Sequence, residues 1–174
     1  MIELREITTG DRDYPFVERL FLGAFPEEER RPEEAQRRNV DAEPRFHCLL
    51  ASADGRPVGF ITYWDFPRFS YVEHFATDPT VRGGGLGAQI FQEALLRFPR
   101  PVLLEVEPPE DEMTRRRVGF YRRQGLTLRE NIPYVQPPYR EGGESVELIL
   151  MTAPSFLPTP ADIALLHREV YANL

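Results

Sequence analysis

The chain contains no lysine; all 21 of its basic residues are arginine. That absence excludes a Walker-type phosphate loop, whose lysine reaches the phosphates, and Schiff-base or pyridoxal-phosphate chemistry, which needs a lysine amine. Cysteine is nearly absent too. The single Cys48 closes no internal disulfide and offers no thiol cluster. No His/Cys/Asp spacing has the pattern of a metal site, so no metal is expected. Long apolar runs are missing: nothing approaches the roughly 20 residues of a membrane span. The segment Met1–Gly10 lacks the apolar core of a secretory leader. No membrane partner is therefore expected, and a cytoplasmic location is. An excess of positive charge is also missing. The net charge of −7 argues against a nucleic-acid partner, whose binding rests on a basic face.

What is present describes an ordinary globular chain. Its 174 residues, 41% hydrophobic and 28% charged, are enough for one domain with its own core. Ile2–Ile7 alternates apolar and charged residues like a half-buried strand. A helical stripe follows in Phe16, Val17, Leu20, Phe21 and Ala24, then the acidic Pro26–Glu29 and a polar helix near Pro32–Val40. Strands Phe46–Ala53 and Pro57–Asp65 flank Asp54–Gly55, a strong hairpin signal, and Tyr71–Thr77 continues the series. A helix through Phe98, the short apolar strand Val102–Val106 and a helix from Asp111 to Gln124 come next. Leu126–Glu130 and Val146–Met151 read as final strands, separated by a long Pro-, Gly- and Tyr-rich loop, Asn131–Ser145. A loop that long is usually functional or disordered. Thr159 to Asp162 resembles a capping box that opens a C-terminal helix. The order describes a mixed α/β layer.

The strongest chemical signal is Arg82-Gly83-Gly84-Gly85-Leu86-Gly87, between a strand and a helix. Glycines there let backbone N–H groups point at an anion, and the helix start adds about half a positive charge. The alternative is a merely flexible turn. Two ligands suit a pyrophosphate cradle. Gly83, Gly85 and Ala88 formally match a dinucleotide fingerprint, with Glu105 at the distance of a ribose contact. Against it, Asp78–Arg82 separates the glycines from the strand end, and the strand carries Glu73 and His74. The other ligand is the pyrophosphate of coenzyme A.

Tyr71–Phe98 resembles motif A of the GNAT superfamily of acyl-CoA-dependent N-acetyltransferases, whose Arg/Gln-x-x-Gly-x-Gly/Ala pattern is met by Arg82, Gly85 and Gly87. Arg117–Leu126, containing Tyr121, resembles the family's second motif, with Leu126 where Phe is usual. The resemblance implies a GNAT fold: about seven strands in one layer flanked by helices. It covers residues 1–152 and leaves 153–174 as a Pro-rich connection and C-terminal helix. It implies acetyl-CoA as co-substrate, held by Phe75, Ala76, Thr77, Arg82, Gly83, Gly84, Gly85, Leu86, Gly87 and Ala88. It also implies a gap in the sheet between Tyr71–Thr77 and Val102–Val106.

By the same resemblance Tyr121 protonates the leaving thiolate, and Glu73 is the candidate base for a small-molecule or peptide amine; Glu105 on the neighbouring strand is the next candidate, as a carboxylate there can also face the acceptor side of the gap. A carboxylate near Tyr71 and Phe75 is open to a raised pKa; the alternative is a solvated glutamate. Strand alternation turns His74 to the face opposite Glu73. Glu27–Glu29 suit a cationic acceptor or an ordinary helix start. Tyr134, Tyr139 and Arg140 suit substrate closure or a homodimer contact. Arg115–Arg117 suit a phosphate or a solvated helix face. Cys48 reads as buried and inert. The rival is a GNAT-like module that binds acyl-CoA and catalyses nothing.

Overall fold

A computed structural model describes residues 1–81 and 83–172, so the expectation for Arg82 lies outside the described residues. β1 (Ile2–Glu6) leads into α1 (Tyr14–Ala24) and α2 (Glu33–Ala42). β2 (Phe46–Ala53), β3 (Arg56–Asp65) and β4 (Ser70–Thr77) form an antiparallel meander with β1. There follow α3 (Leu86–Arg97), β5 (Val102–Val106), α4 (Glu112–Arg123) and β6 (Thr127–Arg129). β7 (Val135–Gln136), β8 (Val146–Glu147), β9 (Ile149–Thr152) and α5 (Pro160–Leu166) complete the chain, α5 running on as a π turn over His167–Tyr171. The main sheet has seven strands in the order β1-β2-β3-β4-β5-β9-β6, and β7 and β8 make a separate hairpin.

Local chemistry accounts for most element ends. Asp54 and Gly55, with φ of 49° and 79°, make the left-handed turn that a tight hairpin needs. Asp111 and Thr114 close a capping box on α4, and Thr159 and Asp162 close another on α5 behind Pro160. Gly125 leaves α4 at φ 98°. Two expected strands need correction. Leu126–Glu130 shortens to Thr127–Arg129, and Val146–Met151 divides into β8 and β9, because Val146 and Glu147 pair with β7 instead of the main sheet. The segment after Asn131 is thus partly strand, and it packs inward.

Apolar residues cover both faces of the sheet. α1 buries Val17, Leu20 and Phe21 against Phe60, Trp64 and Tyr71, and Leu166, Val170 and Tyr171 of the C-terminal turn join this layer. On the other face α3 buries Ile90, Phe91 and Ala94 and α4 buries Val118, against Ile61, Val72, Leu104 and Met151.

Two irregularities in β4 position the site. The parallel pairing of β4 with β5 consists of Ser70 with Val102 and Tyr71 with Leu103; beyond Tyr71 the strands part. On its other edge, Thr62 pairs with His74 but Tyr63 with Val72, so Glu73 is an extra residue in a β-bulge. A bulge bends and twists its strand. It also breaks the alternation, which corrects the expectation for His74. Glu73 reaches Trp64 and Tyr139, and His74 packs on Phe21 and Tyr139, all on one face.

Candidate active site

Where β4 and β5 part, a cleft of about 490 Å³ passes through the sheet. Phe75, Val106 and Tyr121 line it on the α3/α4 side; Glu73, His74, Glu105 and Tyr139 line it on the α1 side.

The α3/α4 side is built mainly of backbone. Gly83, Gly84 and Gly85 have φ of 109°, 64° and 76°, a left-handed run that residues with a Cβ rarely adopt. A Cβ on any of these three would meet nothing within 4 Å, so the ribbon borders open space. Gly85 caps α3 with no side-chain hydrogen bond, leaving the helix start without a side-chain acceptor for its amides. On β4, Asp78 N–H donates to Val58 O at 2.8 Å. By strand alternation Ala76 N–H turns the same way, while Phe75 and Thr77 N–H turn to the open edge. Their unpartnered amides have the chemistry to receive a phosphorylated, amide-bearing ligand. Tyr121 stands with Phe75 in the cleft, edge-on to Phe91 and Phe120 at 5.3 and 5.1 Å. Its hydroxyl has no hydrogen-bond partner among the described residues, and burial pushes its pKa up to about 12.

The α1 side is built of side chains. Glu73 accepts hydrogen bonds from Arg31, from Tyr139 at 2.6 Å and from Trp64 Nε1 at 2.8 Å. Both members of the Arg31–Glu73 ion pair have side chains 0% exposed. Arg31 also donates to Gln36 and lies 5.5 Å over the Tyr139 ring. Burial works to raise the Glu73 pKa, but the Arg31 guanidinium and the Tyr139 and Trp64 donors hold it below the ordinary value. This corrects the expectation of a raised pKa: the apolar neighbours are real, but an arginine 42 positions away outweighs them.

Glu105 has a different enclosure. It accepts from Tyr71, from Tyr134, and from Tyr171 at 2.7 and 2.8 Å to its two oxygens. No cationic side chain pairs with it among the described residues. Burial raises its pKa, the phenol donors counter that in part, and the Glu73 charge adds to the rise. Between these groups His74 donates from Nε2 to Glu29 O at 2.9 Å, and burial lowers its pKa, so the ring is neutral.

Glu28, Glu29, Glu107 and Glu147 line the same cleft with Arg117, which lies 3.2 Å from Glu107. Burial and then Glu107 raise the pKa of Glu29. Glu27 instead stands 3.6 Å from Arg140, and Arg116 pairs with Glu112 along α4. Tyr134 and Tyr139 are buried in the site. Cys48 is buried, its pKa pushed up to about 12.

The sequence profile of the Acetyltransferase (GNAT) family matches residues 14–126. A solved structure from Bacteroides thetaiotaomicron, assigned to the GNAT family of acetyltransferases, is 42% identical, covers 97% of this chain and 98% of its own, and superposes with a TM-score of 0.92. This chain belongs to the GNAT family. Two further solved structures share the fold at lower identity. An acetyltransferase from Elizabethkingia anophelis, with acetyl-CoA bound, is 16% identical, covers 87% of this chain and 97% of its own, and has a TM-score of 0.61. The ribosomal-protein-S18-alanine N-acetyltransferase of Escherichia coli is 18% identical, covers 92% and 97%, and has a TM-score of 0.60. No curated protein sequence matches the chain.

GNAT membership answers the dinucleotide reading. The Glu105 carboxylate expected there for a ribose is enclosed by phenols. Phe75, Tyr121, Glu73 and Glu105 do converge on the cleft, while the glycines stand at the start of α3, Gly87 facing Thr77 and Phe120. Arg31, Trp64 and Tyr171 were not singled out by the sequence. The only local signal for Arg31 is an arginine pair just ahead of a helix, and Tyr171 depends on how α5 docks.

Proposed function

We propose that this GNAT-family chain is an N-acetyltransferase that moves the acetyl group of acetyl-CoA directly onto the amine of a small molecule or peptide. The reading rests on one observation above all: a single cleft through the sheet has a free phenol on one side and buried carboxylates on the other. The glycine ribbon, the open start of α3 and the free edge of β4 fit a CoA pyrophosphate and its amide-bearing arm. Bound there, acetyl-CoA supplies the activated acetyl group as a thioester.

The chain's own residues have three tasks in this reading. Phe75 and Thr77 N–H hold the arm and polarise the thioester carbonyl. Tyr121, kept protonated by its raised pKa, donates its proton to the departing thiolate. The acidic lining from Glu28, Glu29, Glu107 and Glu147 draws in an amine as its cation, which must lose a proton before attack. Glu73 enters as a fixed negative charge, because its carboxylate is the counter-charge of the buried Arg31 guanidinium.

The test is release of CoA thiol from acetyl-CoA across a panel of amines and peptides, with binding followed by calorimetry. The expected result is thiol release that depends on at least one amine, and tighter binding of acetyl-CoA than of NAD(H). Binding with no release on any amine would make the chain a non-catalytic acyl-CoA-binding module.

A further inference from the structure

Two buried carboxylates share the cleft, and their partners differ in kind. Protonating Glu73 would leave the Arg31 guanidinium buried without a counter-charge, and that guanidinium cannot give up its own proton. Protonating Glu105 strands no ion pair, because its partners are neutral phenols. The phenol cage can also adapt. The Tyr171 hydroxyl lies 3.1 Å from the Tyr71 hydroxyl, so it can turn its hydrogen to Tyr71 and free a carboxyl oxygen for an incoming proton. Paired titratable groups whose surroundings drive them apart mark the acid–base assignment.

We propose that Glu105 is the catalytic base that takes the proton from the attacking amine, and that Tyr171, brought in by the C-terminal turn, is its positioning residue. This rests on the acetyltransferase reading and names the proton acceptor within it. The amine nitrogen forms the amide bond as the thioester C–S bond breaks. The bound ammonium first gives one proton to solvent; as the neutral amine attacks, its next proton goes to Glu105, and the Tyr121 proton goes to the thiolate. Solvent then returns a proton to Tyr121 and removes one from Glu105.

The groups that face Glu105 come from four directions. Tyr71 and Glu73 come from β4, and Tyr134 and Tyr139 from the segment around β7. Tyr171 follows α5, with the His167 ring behind it, tilted to Tyr134 at 5.3 Å and edge-on to Tyr171 at 6.0 Å. The partner on β9 is the apolar Leu150. The directions of the pKa shifts agree with the geometry: Glu105 raised, Glu73 lowered.

The experiment is the pH profile of kcat/KM for the full chain, with acetyl-CoA and the amine on which it releases CoA fastest. Glu105→Gln should remove the acid limb and lower kcat/KM by about 10²–10⁴-fold, with acetyl-CoA affinity by calorimetry within about twofold. Tyr171→Phe keeps the ring but removes a donor that favours the carboxylate. It should move the acid limb upward by up to about one pH unit. A role confined to packing would lower the melting temperature and leave the limb in place. An acid limb kept in Glu105→Gln and lost in Glu73→Gln overturns the proposal, as does a limb unmoved in Tyr171→Phe. Failure of the parent reading is separate: the unmodified chain then releases no CoA with any amine.

Discussion

The two sides of the cleft are made by opposite means. On the α3/α4 side the available polar groups are mostly main-chain amides of the glycine ribbon, the start of α3 and the open edge of β4. On the α1 side they are side chains from scattered stretches: Arg31, Trp64, Glu73 with Tyr71, Glu105, Tyr134 with Tyr139, and Tyr171. A backbone cradle needs only conformation, so a short run of glycines encodes it. A side-chain cage needs the whole fold to bring its members together. The first kind of site suits a fixed ligand feature such as a pyrophosphate, and the second can change with the acceptor.

The sharpest break of this contrast is on the backbone side. Gly85→Asp places a Cβ at φ 76°, strained by about 1–2 kcal/mol, and adds a negative charge at the start of α3. Acetyl-CoA binding should fall at least about 100-fold, judged by like-charge repulsion of several kcal/mol. The α1-side cage should stay intact, as the near-UV signal of its buried tryptophan would report. Calorimetry that finds near-normal affinity would show that the cradle does not hold the cofactor.

On the side-chain side the matching break is Arg31→Met. It leaves Glu73 as an uncompensated buried charge and should cost about 3–5 kcal/mol of stability. The sign of its pH dependence follows from the shifts. In the unmodified chain the Glu73 pKa lies below its ordinary 4.5, so the pair stabilises fully above that pH and its contribution is lost as pH falls through the lower, folded-state value. Without Arg31, burial, the largest influence, outweighs the Tyr139 and Trp64 donors and raises that pKa, so the variant gains stability as pH falls. Thermal melts at pH 7 and at pH 5 should therefore show the deficit narrowing in acid. A deficit that widens would mean that Arg31 acts by packing on Phe46, Trp64 and Tyr139.

Tyr121 is the exception on the backbone side, a side chain among amides, and its replacement shows whether chemistry separates from binding. Tyr121→Phe keeps the edge contacts with Phe91 and Phe120 and removes only the hydroxyl. It should lower kcat by about 10- to 1,000-fold with little change in acetyl-CoA affinity. An unchanged kcat would return Tyr121 to the packing of α4.

The same contrast explains what the sequence could disclose. The glycine ribbon was legible because Gly83, Gly84, Gly85 and Gly87 lie within five positions and each local rule agrees there. The meander was legible because Asp54–Gly55 specifies its own turn. Glu73 was legible as a residue and misread as an environment, because its determining neighbour, Arg31, comes from the approach to α2. His74 was misread because a bulge at Glu73 has no local sequence mark and cancels the alternation. Tyr134 and Tyr139 stood out in a long loop, yet which carboxylate each would meet depends on the β7–β8 hairpin.

The smallest effect separates the two helices that carry the last elements of each side. α4, with Tyr121, and α5, ahead of Tyr171, each begin with a capping box: Asp111 with Thr114, and Thr159 with Asp162. Asp111→Ala and Thr159→Ala should each cost about 1 kcal/mol, the usual worth of an N-cap side chain. The helices lie on opposite faces of the sheet, with Val118 of α4 in one apolar layer and Leu166 of α5 in the other. Costs at sites without shared partners add to within about 0.5 kcal/mol, so the double variant should lose about 2 kcal/mol in chemical denaturation. A smaller combined loss would mean that one face has already loosened when the other is cut. The two sides would then be coupled through β4 and β5, which Ser70 and Tyr71 join by pairing with Val102 and Leu103.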